Sequence, residues 1–245
     1  MSSTDRPGVP GDPAPSRILP TDDVGEAAAR ARRLIVAGKC VVLPTDTVYG
    51  IAADAFDAEA VQRLLDAKGR GRDMPPPVLV ADPEVAMALA SDVPPAAREL
   101  MERFWPGPLT LVLTAQRSLR LDLGDADGTV AIRIPDHEIA RAVLRVTGPL
   151  AVSSANKTGQ PAARTAQEAE LQLGLSVAGY LDAGRSSDGP SSTIVDFVST
   201  PDGALLRVGG IGVEELREVL PALHVPPELA QPEGTESAKG RPNDA

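Results

Sequence analysis

The segment Pro44-Thr45-Asp46-Thr47-Val48-Tyr49-Gly50 places two hydroxyls, a carboxylate and a phenol directly after the apolar run Val41-Val42-Leu43. Polar groups at the mouth of a buried strand are costly unless something pairs with them, so such a turn reads as a site. A cationic loop follows, Ala67-Lys68-Gly69-Arg70-Gly71-Arg72. Much later Ser153-Ser154-Ala155-Asn156 again comes straight after an apolar strand, Leu150–Val152. Open α/β sheets bind ligands in loops at the carboxyl ends of strands. Hydroxyls, one carboxylate and clustered cations are the parts needed to hold a small polar substrate beside a polyphosphate.

Those groups need a frame, and the chain has the elements for one. Asp22-Asp23 caps a helix through about residue 37, which Gly38 stops. A strand at 40–43, a helix at 58–67 and a strand at 77–80 follow. Two helices lie between Pro83 and Phe104, and Trp105-Pro106-Gly107-Pro108 breaks the chain before a strand at 109–114. Next come a strand at 129–134, a helix that Asp136 caps, the strand at 150–152 and a helix at 165–173. Strands near 179–181, 193–197 and 204–208 precede a last helix at 213–220. Strands and helices alternate irregularly, which predicts a single α/β domain: a twisted mixed sheet with helices packed against it. Pro7-Gly8-Val9-Pro10-Gly11 shows no periodicity, so residues 1–16 read as a disordered tail, as do 226–245. The folded domain is expected over 17–225.

Composition narrows the chemistry. The 245 residues are 42% hydrophobic but only 2% aromatic, so the core is built from Leu, Val, Ile and Ala. No apolar run approaches the roughly 20 residues a membrane span needs. The N-terminus lacks a signal pattern. A single cysteine, Cys40, forms neither an internal disulfide nor a cysteine zinc site. A cytoplasmic location is therefore expected. Net charge is −10, which disfavours unspecific coating of nucleic acid; Lys68, Arg70 and Arg72 are a local exception.

Common nucleotide signatures fail. Gly38-Lys39-Cys40 resembles the end of a P-loop, yet no glycine stands five residues before Gly38, and Cys40 replaces the magnesium-binding hydroxyl. Gly69-x-Gly71 is too short for a dinucleotide fingerprint. The only histidines, His137 and His224, have no nucleophile beside them. Catalysis is thus expected to rest on positioning and electrostatics, as in nucleotidyl transfer.

Taken singly, several candidates have plain structural readings. Lys68 and Arg70 can offset the macrodipole at a helix C-terminus. Ser154 and Asn156 can form a turn. Arg207, before Gly209-Gly210, can be a solvated strand end. Arg133 is different, because an arginine inside Val130-Ala131-Ile132-Arg133-Ile134 needs an anionic partner or an edge position. A substrate carboxylate would fit its planar fork.

Jointly the residues are recognisable. The chain resembles the YrdC/Sua5 family of L-threonylcarbamoyladenylate synthases. The matching pieces are Pro44–Gly50; Lys68-Gly69-Arg70; Trp105-Pro106-Gly107-Pro108-Leu109-Thr110; Val130–His137; Ser154-Ala155-Asn156; Ser192-Thr193-Ile194-Val195-Asp196; and Leu206-Arg207-Val208-Gly209. They occur in family order across about residues 20–215.

The resemblance implies a reaction: L-threonine, bicarbonate and ATP give threonylcarbamoyl-AMP and pyrophosphate. The product feeds the tRNA threonylcarbamoyl-transfer machinery, which modifies the adenosine next to the anticodon. It also implies that Thr45, Arg133 and Ser192 contact threonine, and that Lys68, Arg70, Thr110, Ser154, Asn156 and Arg207 contact ATP. Lys68 and Arg70 would carry the catalysis, with Mg2+ arriving on ATP and no metal ligand from the protein. The sequence departs from the family where many members have His and this chain has Leu79, so one substrate-side contact is lost or supplied otherwise. It also has the length of the short, single-domain form. Two other readings remain. One is an RNA-binding module of the same fold, against which the net charge speaks. The other is a carbamoyl-adenylate former like the related domain of hydrogenase-maturation proteins, which sits in much longer chains with zinc fingers.

Overall fold

The computed structural model describes residues 17–230. The expected tails at 1–16 and 231–245 lie outside the described residues. Of residues 226–245, read as a tail, 226–230 are described: 227–229 form a turn, and Leu229 packs against the core, as does Val225 just before them.

Among the described residues, ten strands form one mixed sheet, ordered β1-β8-β2-β3-β7-β4-β6-β5-β9-β10. In chain order these are β1 (Ile18–Pro20), β2 (Val41–Leu43), β3 (Gly50–Asp54), β4 (Val78–Leu79), β5 (Leu109–Thr114), β6 (Thr129–Arg133), β7 (Leu150–Ser154), β8 (Gly179–Asp182), β9 (Thr193–Asp196) and β10 (Ala204–Arg207). The helices are α1 (Val24–Val36), α2 (Ala58–Lys68), α3 (Pro83–Leu89), α4 (Pro95–Phe104), α5 (Glu138–Thr147), α6 (Ala166–Leu173) and α7 (Val213–Val219). The mixed-sheet α/β fold expected from sequence is the one observed. Two strands escaped the sequence reading, β1 and the central β3. One cap also differs: His137, not Asp136, stands at the N-cap of α5, and it makes no side-chain capping bond.

Period-two alternation sorts the strand residues between two cores. Val42, Ile51, Val78, Leu111, Ile132 and Ala151 face the larger cluster, which Leu64 and Leu65 of α2 and Leu100 of α4 help to form. Val41, Leu43, Ala52, Leu79, Leu150 and Val152 face a smaller one with Ala28, Ala31 and Ile35 of α1 and Ala140, Val143 and Leu144 of α5. Only α1 and α5 supply helix residues to that second cluster. Its strand members come from the β8, β2, β3, β7 and β4 side of the sheet. The same face of β6, β5 and β9 carries Ala131, Arg133, Thr110, Val112 and Ile194, which no helix of this cluster covers. The site lies on that uncovered stretch.

Candidate active site

A cavity of about 360 Å³ opens there. Leu79, Val112, Ala131, Val152 and Ile194 give it apolar walls, and the polar groups gather at two ends.

One end is the turn after β2. Thr45 Oγ1 donates to the Val48 carbonyl at 2.6 Å, lies 3.1 Å from Thr47 Oγ1 and accepts the Thr47 N–H. Arg133 arrives from β6, paired in register with Leu79 of β4. Its Nη1 donates to Thr47 Oγ1 at 3.0 Å, its Nη2 to Asp46 Oδ1 at 2.5 Å, and its Nε to the Gly107 carbonyl at 3.1 Å. The Arg133 and Asp46 side chains are only 7% and 14% exposed. Burial pushes the guanidinium's pKa down, and Asp46 opposes the shift. The anionic partner that Arg133 demands is thus supplied by the chain itself. Tyr49 is spent elsewhere: its hydroxyl donates to the Gly184 carbonyl and accepts the Ala183 N–H.

The other end is cationic. Asp57 caps α2 by accepting the N–H groups of Glu59 and Ala60, and Gly69 ends the helix at φ +63, a left-handed position suited to glycine. That turn sends Lys68 and Arg70 toward the end of β7. Lys68 Nζ donates to the Ser154 carbonyl (2.5 Å), the Asn156 carbonyl (2.8 Å) and Asn156 Oδ1 (3.4 Å). Asn156 Nδ2 donates to the carbonyls of Lys157 and Gln160, which closes the turn. Burial first, and Arg70 second, lower the Lys68 pKa to about 8. Arg70 Nη1 donates to Ser153 Oγ at 3.0 Å, while its Nε is buried with no partner. Across the cavity, Arg207 folds its guanidinium onto Ser192, donating to the carbonyl at 2.8 and 3.0 Å and to Oγ at 3.1 Å. Ser192 Oγ also lies 2.9 Å from Thr110 Oγ1. Burial, then Arg133 and Arg70, lower the pKa of Arg207. Thr193 Oγ1 fixes the following turn, accepting the N–H groups of Gly209 and Ile211. A Cβ on Gly209 would collide with the Ser191 carbonyl, so glycine is required there.

Of the nine residues named from sequence, Thr45, Arg70, Thr110, Arg133, Ser154, Ser192 and Arg207 line this cavity. Lys68 and Asn156 lie behind Ser154, in the wall rather than on it. Arg72 turns away to Asp122, and its carbonyl accepts the Asp125 N–H at 2.8 Å, tying two loops that both border the cavity. Leu79 presents a buried apolar wall. His137 and His224 are not among the lining residues. The residues missed from sequence are Asp46, Thr47 and Ser153. All three stood inside segments already singled out; what was missing was the partner each would find in space.

Lys68, Arg70, Arg133 and Arg207 gather around this cavity in a chain of net charge −10, and of the four only Arg133 is ion-paired, to Asp46. Among the described residues no ion pair involves Lys68, Arg70 or Arg207, so the arrangement is an anion trap. A twisted-sheet α/β domain with such a trap beside a small hydroxyl-lined recess defines a class. The Sua5/YciO/YrdC family model, described as telomere recombination, matches residues 33–209, and the chain belongs to this family. It is 54% identical over 187 residues to a Mycobacterium tuberculosis protein provisionally named threonylcarbamoyl-AMP synthase, covering 76% of this chain and 85% of that one. It is 39% identical over 201 residues to the threonylcarbamoyl-AMP synthase of Bacillus subtilis, covering 80% of this chain and 57% of that one. The solved structure of Pyrococcus abyssi Sua5 complexed with L-threonine superposes with a TM-score of 0.78 at 35% identity, over 84% of this chain and 60% of that one. The chain thus spans about three-fifths of the length of its archaeal and Bacillus relatives.

Proposed function

We propose that this protein is an L-threonylcarbamoyl-AMP synthase. The observation that carries the reading is a single cavity with two unlike ends: a hydroxyl-lined recess holding a paired arginine, and a cluster of cations without carboxylate partners. L-Threonine takes the recess, its carboxylate on Arg133 and its polar groups near Thr45 and Ser192. ATP takes the other end, its phosphates near Arg70, Lys68 and Arg207 and its remaining polar groups near Thr110, Ser154 and Asn156. Mg2+ is part of that substrate, carried on the phosphates.

The chemistry needs no protein nucleophile. The threonine amine and bicarbonate give a carbamate and water. A carbamate oxygen then forms the bond to the α-phosphorus, and the bond to the β-phosphate breaks, releasing pyrophosphate. Charge builds on the phosphoryl oxygens as this happens, and fixed cations in a part-buried cavity stabilise it without reorganising. The product's consumer is the tRNA-modifying machinery, and direct contact with tRNA is at most weak for so acidic a chain.

The test is pyrophosphate release with MgATP, bicarbonate and each amino acid in turn. Release is expected to require bicarbonate and threonine. Serine, lacking one methyl group, should be poorer by about 10-fold or more, since a missing methylene-sized group costs roughly 1–3 kcal/mol. Equal turnover with alanine or leucine would overturn the assignment.

A further inference from the structure

Asp46 is the carboxylate of a site otherwise built from cations, yet it does not line the cavity. Its Oδ1 takes the Nη2 of Arg133 at 2.5 Å, with both side chains almost fully buried. Its own backbone is held too, because Ser187 Oγ donates to the Asp46 carbonyl at 2.8 Å. Arg133 is fixed at two further points, by Thr47 Oγ1 and the Gly107 carbonyl. Three of the five N–H groups of the guanidinium are therefore spent on the protein. One N–H on each Nη remains for a ligand in the cavity that Arg133 lines.

We infer that Asp46 is a positioning residue for Arg133: it sets the plane of the guanidinium so that the two remaining N–H groups meet the carboxylate of the amino-acid substrate. This rests on the functional reading above. Two physical effects oppose each other here, and their balance makes the inference testable. Removing the Asp46 charge leaves Arg133 more positive, which by Coulomb attraction alone would tighten carboxylate binding. Removing its hold lets a buried guanidinium, repelled by Arg207, leave the plane in which it can bind. Recognition of a carboxylate by a fork depends on alignment, and a misplacement of about 1 Å costs up to about 100-fold. Alignment is the larger of the two effects.

The experiment is calorimetric titration of the full chain with L-threonine, and separately with a non-hydrolysable ATP analogue, followed by steady-state kinetics. Asp46→Asn keeps the size and one acceptor but removes the charge; Asp46→Ala removes both. For Asp46→Asn, the threonine Kd and KM should rise by about 10-fold, with kcat and the analogue Kd within about two-fold of the parent. Asp46→Ala should be worse in the same direction. Should Asp46→Ala fail to fold, Thr47→Val, which removes the Nη1 contact and the hydroxyl contact to Thr45 but leaves the Asp46 pair, should give a smaller rise in the threonine Kd, with the analogue Kd unchanged. Equal or tighter threonine binding by Asp46→Asn would overturn the inference and leave the functional reading standing. Parallel loss of both ligands together with thermal stability would reduce Asp46 to a structural role and also overturn it. If the parent protein itself binds no threonine, the functional reading fails instead.

Discussion

The two ends of the cavity use the same residue type in opposite ways. At the turn after β2, Arg133 is buried against a carboxylate of its own and keeps only part of its hydrogen-bonding capacity free. At the end of β7, Arg70 and Lys68 are part-buried or buried and hydrogen-bond only to hydroxyl and carbonyl oxygens. A paired guanidinium is nearly neutral at a distance and recognises shape and direction. An unpaired cation in a low-dielectric wall raises the local potential and recognises charge. On the proposed reading, the difference sets what each end discriminates: a small zwitterion at one, a polyphosphate at the other.

The comparison breaks most visibly at Arg70. Its buried Nε has no partner, and its pKa is lowered chiefly by burial, so the folded protein gains little from this charge. Arg70→Ala should therefore lose synthesis by the equivalent of roughly 2.7–4 kcal/mol of barrier, as expected for a contact strengthened in the transition state. Its melting temperature should stay near that of the parent. Assaying pyrophosphate release and thermal unfolding on the same preparation decides it; a stability loss with full activity would make Arg70 a helix-end cation and nothing more.

Lys68 sharpens the contrast through pH. Its pKa is lowered to about 8 by burial and by Arg70, against an ordinary value near 10.4. Between those values the unfolded chain binds the proton and the folded chain does not. Stability should accordingly rise with pH from about 8 toward 10.4 relative to Lys68→Met, whose neutral side chain carries no such linkage. Polyphosphate brings negative charge to the same wall and should raise the pKa again. ATP binding near pH 8.5 should then take up a proton, seen as a buffer-dependent heat, and Lys68→Met should abolish it. Identical heats in buffers of different ionisation enthalpy would remove Lys68 from the nucleotide's surroundings.

How much of this was open to the sequence depended on range. The cationic loop, the strand-end serines and the hydroxyl-rich turn were each visible, because local pattern places a turn after an apolar strand or a helix stop. Strand β3 was not: Gly50-Ile51-Ala52-Ala53-Asp54 is poor in strand formers, and it is a strand because β2 and β7 flank it and both faces are buried. Strand β1 is three residues long, ends in proline and sits at the sheet edge, where little favours its detection. Pairing at long range was equally hidden. Asp46 and Arg133 are 87 residues apart, so an arginine in an apolar strand could be seen to need an anion without showing which one. Lys68 was legible as a cation at a helix end, but not as a strut whose donors are spent on the backbone of the facing turn.

The smallest effect is expected at Asn156, where sequence pattern and geometry pull apart. From sequence it is an ATP contact. In the fold its Nδ2 is spent on Gln160 and Lys157 carbonyls at 2.6 and 2.9 Å, and its Oδ1 faces Lys68 at 3.4 Å. On the proposed reading it therefore acts on ATP only through the shape of the turn that presents Ser154. Asn156→Ala removes two good hydrogen bonds, each contributing about 1 kcal/mol. In a domain of this size that lowers the melting temperature by several degrees, about 2–4 °C per kcal/mol, and leaves it folded. ATP-analogue affinity should fall by only a few-fold, because Arg70 and Arg207 keep their places, and threonine affinity should not change, because nothing in the turn touches Arg133 or Asp46. Calorimetry with both ligands on the folded variant measures the split. Lower stability with unchanged nucleotide affinity would make the Ser154–Asn156 segment a structural turn, and equal weakening of both ligands would deny that the cavity has two independent ends.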